Sequence, residues 1–120
     1  MSKSDKLRIP EYLRHILEAI QRIERYTEDM AETGFLASEM VQDAVIRNIE
    51  IMGEAANNIR QHHSEFASQH PEIPWEDIYW MRNRVAHGYF KVDMELVWKT
   101  IRTDLPGLAE QMRVLIDKNN

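Results

Sequence analysis

Residues 10–30 read PEYLRHILEAIQRIERYTEDM, and this stretch decides the fold class. Leu13, Ile16, Leu17, Ile20, Ile23 and Met30 recur at three and four and fall on one helical stripe. Arg14, Glu18, Gln21, Arg22, Arg25 and Glu28 cover the other side. Pro10 suits the first turn, because its missing N–H would lack an intrahelical partner there anyway. Thr33-Gly34 is the expected end of this helix.

The same period continues outward. Ser38 is a candidate N-cap for a second helix, in which Val41, Ala44, Val45, Met52, Ala55, Ala56 and Ile59 form the stripe. Gly53 lies inside it at a cost of about 1 kcal/mol against alanine, which close packing on a neighbouring helix would explain. Gln61 to Pro74, with three histidines and two prolines, reads as a connecting loop. Pro74 opens a third helix through Trp75, Ile78, Trp80, Met81 and Val85, which Gly88 is placed to end. Asp93 can cap a fourth, with Val97, Ile101, Leu105, Leu108, Met112 and Leu115 inward. Pro106 breaks that stripe and should kink or split the helix. No long period-two alternation and no Asn-Gly or Asp-Gly turn is present. The expectation is one all-α domain over residues 1–120, an antiparallel bundle of four to five helices.

Composition narrows the functions. Hydrophobic residues are 43% of 120, enough for a modest core and too many for a disordered chain. No run free of Asp, Glu, Lys and Arg exceeds six residues, so a membrane-spanning helix of about 18 apolar residues is excluded. The first ten residues are polar, with no apolar signal core, which points to the cytoplasm. The absence of cysteine removes disulfides, thiolate metal sites and a cysteine nucleophile. With 15 Lys and Arg against 20 Asp and Glu, the net charge is −5, so any nucleic-acid contact must come from a local patch.

That patch lies between Asp77 and Asp93. No carboxylate occurs there, while Arg82, Arg84 and Lys91 do. The segment also holds Asn83, His87 and Tyr89. Guanidinium forks match phosphate oxygens, imidazole moves protons near neutral pH, and an aromatic ring can stack on a base. Arg82 and His87 are five residues apart, about 140° around an ideal helix, and so converge poorly within it. Either the helix loosens at Gly88, or a second copy of the same helix across a twofold axis completes the site.

Arg82, four residues, His87 and Tyr89, with Asn83 directly after the arginine, resemble the Rx4HxY motif of the HepT toxins, a branch of the HEPN superfamily. Gln42 to Glu50 followed by Gly53-Glu54-Ala55 resembles that family's second-helix pattern. Ile73-Pro74-Trp75 and Asp104-Leu105-Pro106 also fit. The resemblance implies a HEPN-like, homodimeric fold and a metal-independent endoribonuclease with a composite site at the dimer interface. It implies no cofactor and no metal. It implies the toxin of a toxin–antitoxin system, acting on RNA, with transfer RNA one target class. The partner implied is an MNT-type minimal nucleotidyltransferase antitoxin, which would silence the toxin by AMPylation of Tyr89.

On that reading Arg82 and His87 are the catalytic residues and Asn83 supports the imidazole. Arg84 and Lys91 contact RNA phosphate. AMP on Tyr89 would place a bulky anion in the RNA path. The alternative is a non-catalytic HEPN module that binds and regulates a partner nucleotidyltransferase; such a copy would be expected to lose Arg82 or His87, and both are present. A plain helical scaffold leaves the cationic island unexplained. His62, His63 and His70 lack a completing ligand pattern and read as solvated. Trp75, Trp80 and Trp98 read as core or interface anchors, and Glu50 and Glu54 as a solvated acidic stripe.

Overall fold

Leu13, Ile16, Ile20 and Ile23 lose all their accessible surface in α1 (Ile9–Thr27), as their spacing demands. Each such side chain contributes about 1.5–3 kcal/mol of hydrophobic stabilisation. The computed structural model describes residues 8–87 and 93–119, with residues 85–87 described by their backbone alone. Among the described residues every regular element is a helix. The remaining elements are α2 (Glu32–Leu36), α3 (Glu39–His62), α4 (Ser64–Gln69), α5 (Trp75–His87), α6 (Met94–Thr103) and α7 (Leu105–Lys118). The five longer helices are those the apolar stripes predict; α2 and α4 are short additions in the connections.

The central element is α3, which packs along α1 on one side and α5 on another. Helix α7 lies against α1, and α6 leads into it. One core joins Tyr12, Ile49, Met52, Ile78, Val97 and Met112, all at 8% exposure or less. Buried Asn48 is satisfied on both ends: its Nδ2 donates to Ala44 O at 2.9 Å, and its Oδ1 accepts from Arg22 Nη1 at 3.3 Å. That second bond ties α1 to α3.

Local signals act where they were expected. The Ser38 hydroxyl accepts from Val41 N at 3.3 Å and starts α3. Asp93 Oδ1 accepts from Glu95 N and Leu96 N, both at 3.1 Å, and starts α6. Pro106 falls in the first turn of α7, so the fourth predicted helix is split there rather than bent.

Two boundaries differ from the sequence reading. Helix α1 stops at Thr27, and Thr33-Gly34 lies inside α2 rather than ending α1. A remote side chain braces this end, beside the local turn in which Met30 N donates to Thr27 O at 3.1 Å. Arg102 Nη2 donates to Thr27 O at 2.7 Å and to Met30 O at 2.9 Å, satisfying carbonyls at the α1 end with a cation that its dipole favours. The stretch from Gln61 to Pro74 is not simply a loop: α3 continues through His62 and α4 follows. Phe66 anchors α4, with its ring 4.5 Å from that of His70 and 6.2 Å from that of Trp75. Six residues hold too little periodicity to announce this.

Candidate active site

Gly53 fixes the site, because it sets how closely α5 approaches α3. A Cβ on Gly53 would stand 2.0 Å from Arg82 Cβ, 2.6 Å from Arg82 Cγ and 3.2 Å from Ile78 O. Only a residue without a side chain lets the Arg82 stem lie on the α3 backbone. The guanidinium then emerges beside the next residue of α3. Arg82 Nη2 donates to Glu54 Oε1 at 3.4 Å, and Nη1 donates to Asn83 Oδ1 at 3.1 Å. The Arg82 side chain is 31% exposed and that of Glu54 65%, so this is a solvent-screened pair. Such a pair is worth at most about 1 kcal/mol, and a phosphate can displace the carboxylate.

Arg82 stands at the edge of an open cleft of about 450 Å³. Its floor is one face of α3, where Arg47, Glu50, Glu54 and Asn58 recur at three and four. Tyr12 and His15 of α1 form the opposite wall. Arg47 Nη1 reaches Glu50 Oε1 at 3.8 Å. The cleft therefore mixes two guanidinium groups with two carboxylates, and its charges are held in pairs across adjustable distances.

The candidate residues are distributed as follows. Arg82 and Asn83 are partly exposed and in contact with each other. Arg84 is exposed on the outer side of α5. The α5 backbone stays helical through His87. An ideal helix therefore separates the Cα directions of Arg82 and His87 by about 140°. The His87 side chain lies outside the described residues, as do Gly88, Tyr89 and Lys91.

Other expectations are refined. Glu54 is no mere solvated residue, since it faces Arg82 across the α3–α5 seam. The position of Glu54 directly after a helix-interior glycine was a usable signal; its partner 28 residues away was not. Tyr12 and His15 were not anticipated at the cleft, because nothing in the spacing of α1 says which neighbour it faces. His63 and His70 do not simply face solvent. The His63 ring meets Tyr12 edge-on at 6.0 Å, and His70 Nδ1 lies 3.1 Å from Glu72 Oε2. Among the described residues no group of three His, Asp or Glu is arranged to hold a metal ion. No helix among them is long and apolar enough to cross a membrane.

Comparison with known proteins places this architecture. Residues 16–115 match the family model described as Ribonuclease HepT-like. Over 105 residues the chain is 44% identical to the probable ribonuclease HepT of Thermococcus cleftensis, covering 88% of this chain and 93% of that one. It is 43% identical over 111 residues to a Methanocaldococcus jannaschii protein named gamma-glutamylcyclotransferase and putative RNase. That match covers 90% of this chain and 49% of the relative, so the chain spans about half of that relative's length. A second M. jannaschii protein, named a putative RNase, is 32% identical over 115 residues, with 96% and 100% covered. No solved structure matches the chain. With a family model spanning most of its length and a near full-length relative at 44% identity, the chain belongs to the HepT-like ribonuclease family.

Proposed function

We propose that this HepT-like ribonuclease cuts RNA without a metal ion, at a site completed by two copies of the chain. The observation that carries the reading is the setting of Arg82. Its stem is seated on Gly53, its guanidinium is partly exposed at a cleft, and the carboxylate that faces it, Glu54, is exchangeable. The regular helix through His87 supports a composite site, since one helix turns the two side-chain positions apart.

The chemistry follows from the residue types. The RNA 2′-OH attacks the adjacent phosphorus and forms the 2′-O–P bond. One His87 takes the hydroxyl proton. The P–O5′ bond breaks, and the second copy's His87 protonates the leaving oxygen, giving a 2′,3′-cyclic phosphate and a free 5′-OH. Arg82 holds the phosphate and offsets the charge that grows on its oxygens. Asn83 stands one helical turn before His87 and orients the imidazole. Arg84 and Lys91 steer the strand through its phosphates.

In the cell the protein acts as a cytoplasmic toxin whose targets include transfer RNA. An MNT-type nucleotidyltransferase is its antitoxin. The Tyr89 hydroxyl attacks the α-phosphorus of ATP, pyrophosphate leaves, and the hydroxyl proton passes to solvent. The AMP then blocks the RNA path by bulk and by like charge.

The test is an RNA cleavage assay in excess chelator with the parent chain, Arg82→Ala and His87→Ala. Cleavage by the parent alone, with 2′,3′-cyclic phosphate ends, is the expected result. Equal background in all three overturns the catalytic reading in favour of a module that only binds a nucleotidyltransferase. Co-expression with the nucleotidyltransferase should add the mass of one or more AMP groups, lost in Tyr89→Phe.

A further inference from the structure

Trp80 is 53% exposed, whereas Trp75 is 6% exposed and Trp98 packs against Phe35 with Arg102 over its ring. A single exposed aromatic residue is ordinary. The neighbours of this one are not. On the α5 helix Asn83, Arg84 and His87 follow Trp80 by three, four and seven residues. In an ideal helix those positions lie within about 60° of Trp80, and that of His87 within about 20°. Along the axis Trp80 and His87 are about 10.5 Å apart. Arg84 is exposed between them. The segment from Ile78 to Val92 has no carboxylate, so nothing acidic in its own sequence repels a phosphate along this stripe. The stripe ends at Asp77 and Glu76, three and four residues before Trp80; Asp77 is exposed, and the Glu76 carboxylate sits 3.9 Å from Arg60 Nη2.

An exposed indole and an exposed guanidinium one turn on, with the backbone position of His87 two turns on, lie along one line of α5. Indole offers a flat π-face to any base, and stacking tolerates every sequence. We propose that Trp80 is a base-stacking platform of the RNA site: it takes a nucleobase flanking the scissile phosphate, while Arg84 contacts the phosphate between. This rests on the ribonuclease reading above and adds a substrate subsite to it.

The experiment measures binding of a fluorescein-labelled oligouridylate to the full chain in a His87→Ala background, where the RNA survives. Trp80→Ala and Trp80→Leu should each weaken binding by about 5- to 100-fold, and Trp80→Phe should stay within a fewfold of the background. Leucine keeps apolar area without a π-face, so a Trp80→Leu variant that binds normally overturns the proposal. So does unchanged binding in Trp80→Ala. Sedimentation of Trp80→Ala as a smaller species than the background also overturns it, by making Trp80 an anchor between copies. Cleavage and binding by the parent with an indifferent Trp80 remove the stacking subsite alone. A parent that neither binds nor cleaves RNA removes the ribonuclease reading with it.

Discussion

Replacing Gly53 by alanine separates helix propensity from packing at the site. On an open helix face the change should stabilise by about 1 kcal/mol. At Gly53 the new methyl would meet Arg82 Cβ at 2.0 Å, where ordinary contact begins at 3.4 Å. That atom is the root of a side chain, not its free end, so α5 itself must move. Overpacking of this kind costs about 1–3 kcal/mol, and a contact this short lies at the upper end. The net expectation is a loss of about 2 kcal/mol in Gly53→Ala, read from urea unfolding. Arg82 moves with α5, and on its proposed role a displacement of about 1 Å costs on the order of 100-fold in rate. Gly107→Ala is the internal control, since nothing lies within 4 Å of a Cβ there. It should be neutral or stabilising by up to about 1 kcal/mol, with unchanged cleavage. A Gly53→Ala protein as stable as the parent, cutting RNA at the parental rate, would refute the claim that this glycine seats the arginine.

Three further predictions concern the charged groups. Glu54→Gln should alter stability by less than about 1 kcal/mol, because its pair with Arg82 is screened, and should tighten RNA binding a fewfold by removing an anion from the cleft; weaker binding with lost cleavage would instead mean that Glu54 holds Arg82 in its working pose. Arg102→Ala should cost about 1–2 kcal/mol in urea unfolding, since two carbonyls at the α1 end lose a charged donor and Trp98 loses the cation 4.2 Å from its ring centre; no change would place the end of α1 under local control. Glu72 has its carboxyl held below the usual 4.5, first by a backbone hydrogen bond and then by His70. A lowered folded value stabilises above the unfolded one and is lost as the pH falls through the folded one, so Glu72→Gln should be slightly less stable than the parent at neutral pH, converge with it in strong acid, and so lose less stability as the pH falls below about 4.5. Unfolding curves of parent and variant that stay parallel through that range would count against it.

The sequence alone determined the helices that carry their own signals. Spacing at three and four placed the stripes of α1, α3 and α5. The Ser38 and Asp93 side chains capped the helices that follow them, and Pro106 divided α6 from α7. These causes act within about one helical turn, so neighbouring residues suffice to read them. The candidate set of Arg82, Asn83 and His87 is a spacing on one helix and so is also a local pattern. The three-dimensional fold decided whatever depends on residues far apart in the chain. Arg102 braces the end of α1 from 75 residues away, Glu54 meets Arg82 from 28 residues away, and Tyr12 and His15 line a cleft over α3. Gly53 joins the two levels. Its cost within a helix is visible in the sequence, and its cause, the Arg82 stem lying where a Cβ would stand, exists only once α5 has packed on α3.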